Sequence, residues 1–151
     1  MSDDIQKQLE EIEALFAQVA REMTSDGDRV TLHGMSPATL YFSDRPQRVV
    51  GHLTTRQFVD EWGEGENSFA EDPPNAVISF VEAGDETPED AIVILKDPVL
   101  QSDTLTYTVE LLEGSLPAKG ELCSVFIDPF GRPLSPVSLA GMNRRSRRRG
   151  R

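Results

Sequence analysis

Few side chains in this sequence can move a proton, hold a metal or attack an electrophile near neutral pH. Histidine is the usual proton carrier, and only His33 and His52 are present. Facing each other across a sheet with a carboxylate nearby, they would form a metal pair. Their spacing matches no known ligand pattern, however, so they are read as surface or hydrogen-bonded imidazoles and no metal is assigned. Cys123 is the single cysteine; it has no partner for a disulfide or a thiol metal site and is expected to be a small buried hydrophobe. Gly63-Glu64-Gly65-Glu66-Asn67-Ser68 approaches a phosphate-cradling loop. It lacks the third glycine, follows an expected helix, and carries two glutamates that repel phosphate, so it reads as a solvated loop. Asp85, Glu86, Glu89 and Asp90 would attract a hard cation but match no ordered calcium loop. No Gly-x-Ser-x-Gly elbow, Walker loop or His-Glu-x-x-His stretch occurs, so neither catalytic residues nor a cofactor is assigned.

Two groups of residues do have a physical consequence. Asp44 and Arg45 stand together where an apolar run ends, at Tyr41-Phe42-Ser43-Asp44-Arg45-Pro46. Their pairing would fix a turn, or would present a guanidinium fork to a carboxylate or phosphate. With His52 and Trp62 they form the candidate ligand or turn site. The second group is the tail. Arg144, Arg145, Arg147, Arg148, Arg149 and Arg151 supply 6 of the 15 basic residues, and no acidic residue follows Asp128. The chain carries a formal net charge of −11, so residues 1–143 carry 9 basic against 26 acidic groups, a net of −17. Such a body repels nucleic acid and anionic membranes, while the tail attracts acidic surfaces within a ~8 Å Debye length. Phosphate contacts by six guanidiniums would be steeply salt-dependent, but no aromatic is interleaved to stack on bases. The plain reading is a solvated tail; if it has a partner, an acidic protein surface is expected first, with nucleic acid or a membrane as the alternatives.

The elements that must carry these groups follow from periodicity. Ile5, Leu9, Ile12, Phe16, Val19 and Met23 are spaced 4, 3, 4, 3, 4, which predicts an amphipathic helix from about Asp3 to Met23 with one interaction face. Ser2 would cap it, Asp3 and Asp4 suit its N-terminal dipole, and Gly27 would help stop it. From Arg29 the period becomes two. Val30 to His33 and Thr39 to Phe42 are read as a hairpin around Gly34-Met35-Ser36-Pro37, with Arg48 to Leu53 as a third strand. Thr54 or Thr55 would cap a short helix to Trp62 that buries the indole against the sheet. An acidic, breaker-rich loop around Phe69 separates this from three strands of an antiparallel meander, Ala76 to Glu82, Ala91 to Lys96 and Thr104 to Leu112. Leu122 to Ile127 is the last main strand, and Pro136 to Ala140 would add an edge piece.

These elements predict a mainly β fold: a small antiparallel sandwich or open barrel with an N-terminal amphipathic helix and a short internal helix. The expected organisation is a helix over 1–25 for oligomerisation or docking, a β-rich domain over 28–141 and a disordered Arg-rich tail over 142–151. At 151 residues there is room for one such domain. No stretch approaches the ~20 apolar residues of a membrane span, and Met1-Ser2-Asp3-Asp4 lacks the basic, apolar start of a secretory signal. No membrane span and a cytoplasmic address are expected.

The blocks Thr39-Leu40-Tyr41-Phe42-Ser43-Asp44-Arg45-Pro46 with Gly51-His52, Phe69-Ala70-Glu71-Asp72-Pro73-Pro74-Asn75-Ala76, and Phe126-Ile127-Asp128 followed by Pro133-Leu134 to Gly141 before the arginines resemble a group of small bacterial proteins. The resemblance covers most of residues 30 to 148. It implies a bacterial source and a shared body, with no activity attached and no functional residues to transfer. The leading functional expectation is therefore physical: a non-enzymatic assembly or adaptor protein. Its helix would self-associate into a homo-oligomer or dock on another protein, and its tail would tether to an acidic surface. The alternative is a small-ligand binding protein with a pocket lined by Trp62, Phe69 and Tyr107. An enzyme using His52, Asp44 and Arg45 is the third reading.

Overall fold

The computed structural model describes residues 14–43, 48–63, 69–82, 84–85 and 87–128. Its elements are β1 (Leu15–Asp26), β2 (Arg29–Met35), β3 (Ala38–Ser43), β4 (Val49–Thr54), α1 (Thr55–Asp60), β5 (Asn75–Val81), β6 (Glu89–Gln101), β7 (Thr104–Glu113) and β8 (Lys119–Asp128). All strand pairings are antiparallel. Six strands close on themselves in the order β1-β2-β7-β6-β5-β8, and β3 and β4 extend the sheet outward from β1. The mainly β expectation of a sandwich or open barrel holds in its barrel form, and the barrel is closed.

Closure depends on the length of β1. One of its edges pairs with β8 from Phe16 to Thr24. The other edge is divided, with Leu15 to Ala17 on β3 and Ala20 to Asp26 on β2. Above the division the β3–β4 hairpin departs as a flap; below it β2 completes the barrel. The expected hairpin between Val30–His33 and Thr39–Phe42 is thereby corrected. Both segments are strands, but each pairs with β1 and not with the other.

The expected helix from Asp3 to Met23 is overturned from Leu15 onward, and residues 15–25 belong to the barrel instead of to a separate helical unit over 1–25. Ile5, Leu9 and Ile12 lie outside the described residues. Of the remaining stripe, Phe16 and Met23 are buried in the core, whereas Val19 is on the opposite, outer face. The helical spacing is produced by a change of face within the strand. Ala14, Phe16, Gln18 and Ala20 are buried at steps of two, and then the step becomes three, to Met23. Arg21 drops out of both registers at this level, opposite Gly34 and Leu122, whose φ values are +66° and +49°. All three strands switch face here, from Met35 to Leu32 and from Cys123 to Gly120, as a strand kink at a barrel bend requires. A 2-2-2-3 series of buried positions imitates a helical 3–4 stripe. Pairing on both edges outweighs the modest helix preference of residues such as Ala17, Ala20 and Arg21.

Gly27 also had another role. Asp26 pairs with Arg29, so Gly27 and Asp28 form a two-residue hairpin loop with Gly27 at φ +63°, a conformation glycine adopts without a Cβ penalty. The meander has the expected order, with β5, β6 and β7 adjacent, but β6 does not stop at Lys96: it runs on past a register shift to Gln101 and pairs there with Thr104. Its interior side chains, including Ile78, Phe80, Val93, Leu95, Leu105 and Tyr107, join Phe16, Met23, Leu32, Val125 and Ile127 in one core. Cys123 is part of it, and burial pushes its thiol up to about 12. The tail arginines and Pro136 to Ala140 lie outside the described residues.

Candidate interaction surface

The β3–β4 flap is held by a buried polar chain. Tyr107 Oη donates to Gln18 Oε1 at 2.7 Å, and Gln18 Nε2 donates to Thr39 Oγ1 at 3.3 Å. The Thr39 and Thr55 hydroxyls are 2.8 Å apart, and Thr55 Oγ1 donates to the Ser36 carbonyl at 2.8 Å. A hydroxyl has one proton, so Thr55 spends its own on Ser36 and Thr39 donates to Thr55. Every link then runs the same way, from the phenol in β7 to the backbone before β3, an arrangement in which successive bonds polarise one another. It ties β7, β1, β3 and α1 together at one end of the barrel.

α1 closes that end. Thr54 Oγ1 accepts from the Gln57 N–H at 2.9 Å and Gln57 Oε1 accepts from the Thr54 N–H at 3.0 Å, a reciprocal cap. The short helix so started buries Phe58, and Trp62 follows it into the core. Phe58 meets Phe16 at 5.1 Å between ring centroids, and Trp62 meets Phe69 at 4.9 Å and Tyr107 at 5.8 Å. Trp62, Phe69 and Tyr107, the residues of the pocket reading, are thus brought together, stacked on one another as tilted and edge-on pairs.

The outer face of the flap is different. In β3, Thr39 is buried and Tyr41 packs on the core, so Leu40 and Phe42 point outward; across the hairpin they pair with His52 and Val50. Val50 is 78% exposed, Leu40 48% and Phe42 39%, and Val19 of β1 is 50% exposed nearby. Gly51 lies opposite Tyr41, and a Cβ there would come within 2.6 Å of Tyr41 Oη. The aromatic ring fills the space a side chain at 51 would take, a known way of covering glycine in an edge strand. The same outer row continues through Ala17, Phe126, Val77 and Ile92, where Val77 and Ile92 form a small cluster of their own outside the barrel core.

Of the candidate ligand or turn group, the described members His52 and Trp62 are not brought together. His52 is exposed on the outer face of β4, whereas Trp62 is buried inside the barrel; Asp44 and Arg45 lie outside the described residues. His33 sits on β2 with its Nε2 3.0 Å from Thr24 Oγ1, on a strand that does not neighbour β4, so the two imidazoles do not make a metal pair. Among the described residues there is no group of three or more His, Cys, Asp or Glu side chains placed to hold a metal ion. No helix among them is long and apolar enough to cross a membrane.

The surface formed by Leu40, Phe42 and Val50 was not singled out in the sequence. Thr39-Leu40-Tyr41-Phe42 is apolar or β-prone at nearly every position, so hydropathy does not say which alternate residues face the core. The signal present is an apolar run in which both faces are apolar, followed by Val49-Val50-Gly51 with no charge. Comparison with protein families, with curated proteins and with solved structures finds no match to this chain.

Proposed function

We propose that this chain is a non-enzymatic assembly or adaptor protein, in which a rigid barrel presents the outer face of the β3–β4 flap to another protein and the Arg-rich tail tethers to an acidic surface. The observation that carries this reading is the grouping of Val50, Leu40, Phe42 and Val19 as exposed apolar side chains on one outer face. Contiguous exposed apolar area on a soluble domain marks an interaction surface more often than it marks nothing. The buried polar chain and the aromatic plug support the reading because they hold the flap against the barrel, so that the surface is presented in one geometry.

The helix face expected from Ile5 to Met23 loses Phe16 and Met23 to the core. The flap takes over that role. The test pairs two variants. Leu40→Lys with Phe42→Lys places charge on the outer face without touching the core and is expected to abolish association while leaving the melting temperature near its original value. Deleting 144–151 is expected to remove only the part of binding to polyglutamate that weakens steeply with salt. Association that survives the Lys variants would overturn the role of the flap, and salt-sensitive binding that survives the deletion would overturn that of the tail. Binding of a DNA oligonucleotide in place of polyglutamate would assign the tail to nucleic acid.

A further inference from the structure

We infer that β4 is a self-complementary edge that pairs antiparallel with β4 of a second copy of this chain, joining two barrels through one continuous sheet; this rests on the flap being the association surface. Among the described residues β4 ends the sheet and pairs with β3 alone. Natural edge strands are usually guarded by a charged side chain, a proline or a bulge. β4, Val49-Val50-Gly51-His52-Leu53-Thr54, has no proline, no Asp, Glu, Lys or Arg, and an unbroken register with β3. Its outer side chain Val50 is largely in solvent.

Charge selects the second copy. The chain as a whole is at −11, so two copies repel over most of their surfaces. Residues 38–60, which span β3, β4 and α1, hold Arg45, Arg48 and Arg56 against Asp44 and Asp60, a net of +1. The flap is a near-neutral stretch through which two acidic bodies approach without a like-charge barrier.

Geometry then selects the register. Residues opposite each other in an antiparallel pair share a face, so outward Val50 must meet an outward residue of the other copy, and the two opposed residue numbers must differ by an even count. A two-fold axis at Gly51 places Val50 against His52, Val49 against Leu53 and Arg48 against Thr54, with no like charges opposed. The two Val50 side chains become diagonal neighbours across the axis, within reach of each other. An axis at His52 would instead set the two imidazoles face to face. Six residues make an edge only ~20 Å long, too short to bury the ~1,200–2,000 Å² of a stable interface, so the pair forms reversibly with concentration.

The experiment is light scattering of the full chain over a broad concentration range, with Val50→Lys and Val50→Glu measured alone and mixed. Expected are a mass rising toward two chains for the wild type, one chain for each variant alone, and recovery of the two-chain mass in the equimolar mixture, since opposite charges then meet across the axis. A wild-type mass of one chain throughout overturns the inference, as does a dimer that both variants form as readily as the wild type. Anilinonaphthalene sulfonate separates this from failure of the wider reading. If the wild type is a monomer whose dye fluorescence is lost in Val50→Lys, the surface is open to other partners and only the self-pairing falls. If neither mass nor dye responds to position 50, both fall.

Discussion

Tyr107 and Gln18, 89 residues apart, meet inside the barrel through a 2.7 Å hydrogen bond from the phenol to the amide carbonyl. Both are buried, and this bond is the first link of the chain that ends on the Ser36 carbonyl. It converts a hydrophobic interior into one that specifies where the flap must lie, because each buried donor along it has its acceptor in only this arrangement.

Tyr107→Phe removes the donor and leaves Gln18 Oε1 buried. An unsatisfied buried acceptor costs ~1–3 kcal/mol, so the variant is expected to fold and to lose that much stability by urea denaturation. Gln18→Leu in the same background restores part of the loss. Equal and additive losses would mean that the two side chains act independently.

Thr54→Ala deletes the half of the reciprocal cap in which Thr54 Oγ1 accepts from the Gln57 N–H on α1. Loss of an N-cap typically costs ~1 kcal/mol, and in a six-residue helix the effect concentrates at the barrel end. Hydrogen exchange is expected to quicken at Gln57 and Phe58 while the amides of β5 and β8 remain protected. Uniform acceleration would show that α1 does not open separately.

Trp62 is the only tryptophan and is buried among Phe58, Phe69 and Tyr107. Its native emission is expected to be blue-shifted and poorly quenched by acrylamide. Replacing a buried Trp by Ala costs ~3–5 kcal/mol, so Trp62→Ala should lower the denaturant midpoint sharply, or prevent folding. A small change would mean that the cluster is not part of the cooperative core.

Burial raises the Cys123 thiol from 9.0 to about 12, and desolvation also raises the Tyr107 phenol well above its ordinary value. In the unfolded chain the thiol ionises near its ordinary value, so the native state binds the proton more tightly. Its stabilising contribution is complete below pH 9 and declines as pH rises toward 12, with Tyr107 acting in the same direction. Stability measured from pH 8 to 11 is therefore expected to fall, and less so for Cys123→Ala above pH 9. At neutral pH the native thiol should resist labelling that proceeds readily in urea.

Much of this fold is legible in the residues because it is local. Thr54 and Gln57 stand three apart, which suffices for the cap. The alternation of Leu105, Tyr107 and Val109 marks the inner face of β7, and turn residues delimit the meander. The first strand was illegible for a specific reason. The face switch at Arg21 depends on Gly34 and Leu122, residues that approach it only after β2 and β8 pair with β1. Without them, Phe16, Val19 and Met23 look like one side of a helix. The Asp26-Gly27 step was the available counter-signal, since Asp-Gly between apolar runs favours a hairpin over a helix end.

The candidate surface divides in the same way. The cationic tail, the acidic body and the near-neutral stretch from 38 to 60 are properties of composition, and no folding could alter them. Which of Leu40, Tyr41, Phe42 and Val50 face solvent was decided by tertiary structure alone, because β-strand alternation supplies two equivalent assignments and only contact with the core breaks the tie. Here the tie is broken by Gln18 reaching Thr39, which turns Thr39 and Tyr41 inward and leaves Leu40 and Phe42 outside. Periodicity records which residues share a face; only long-range pairing establishes which face is buried.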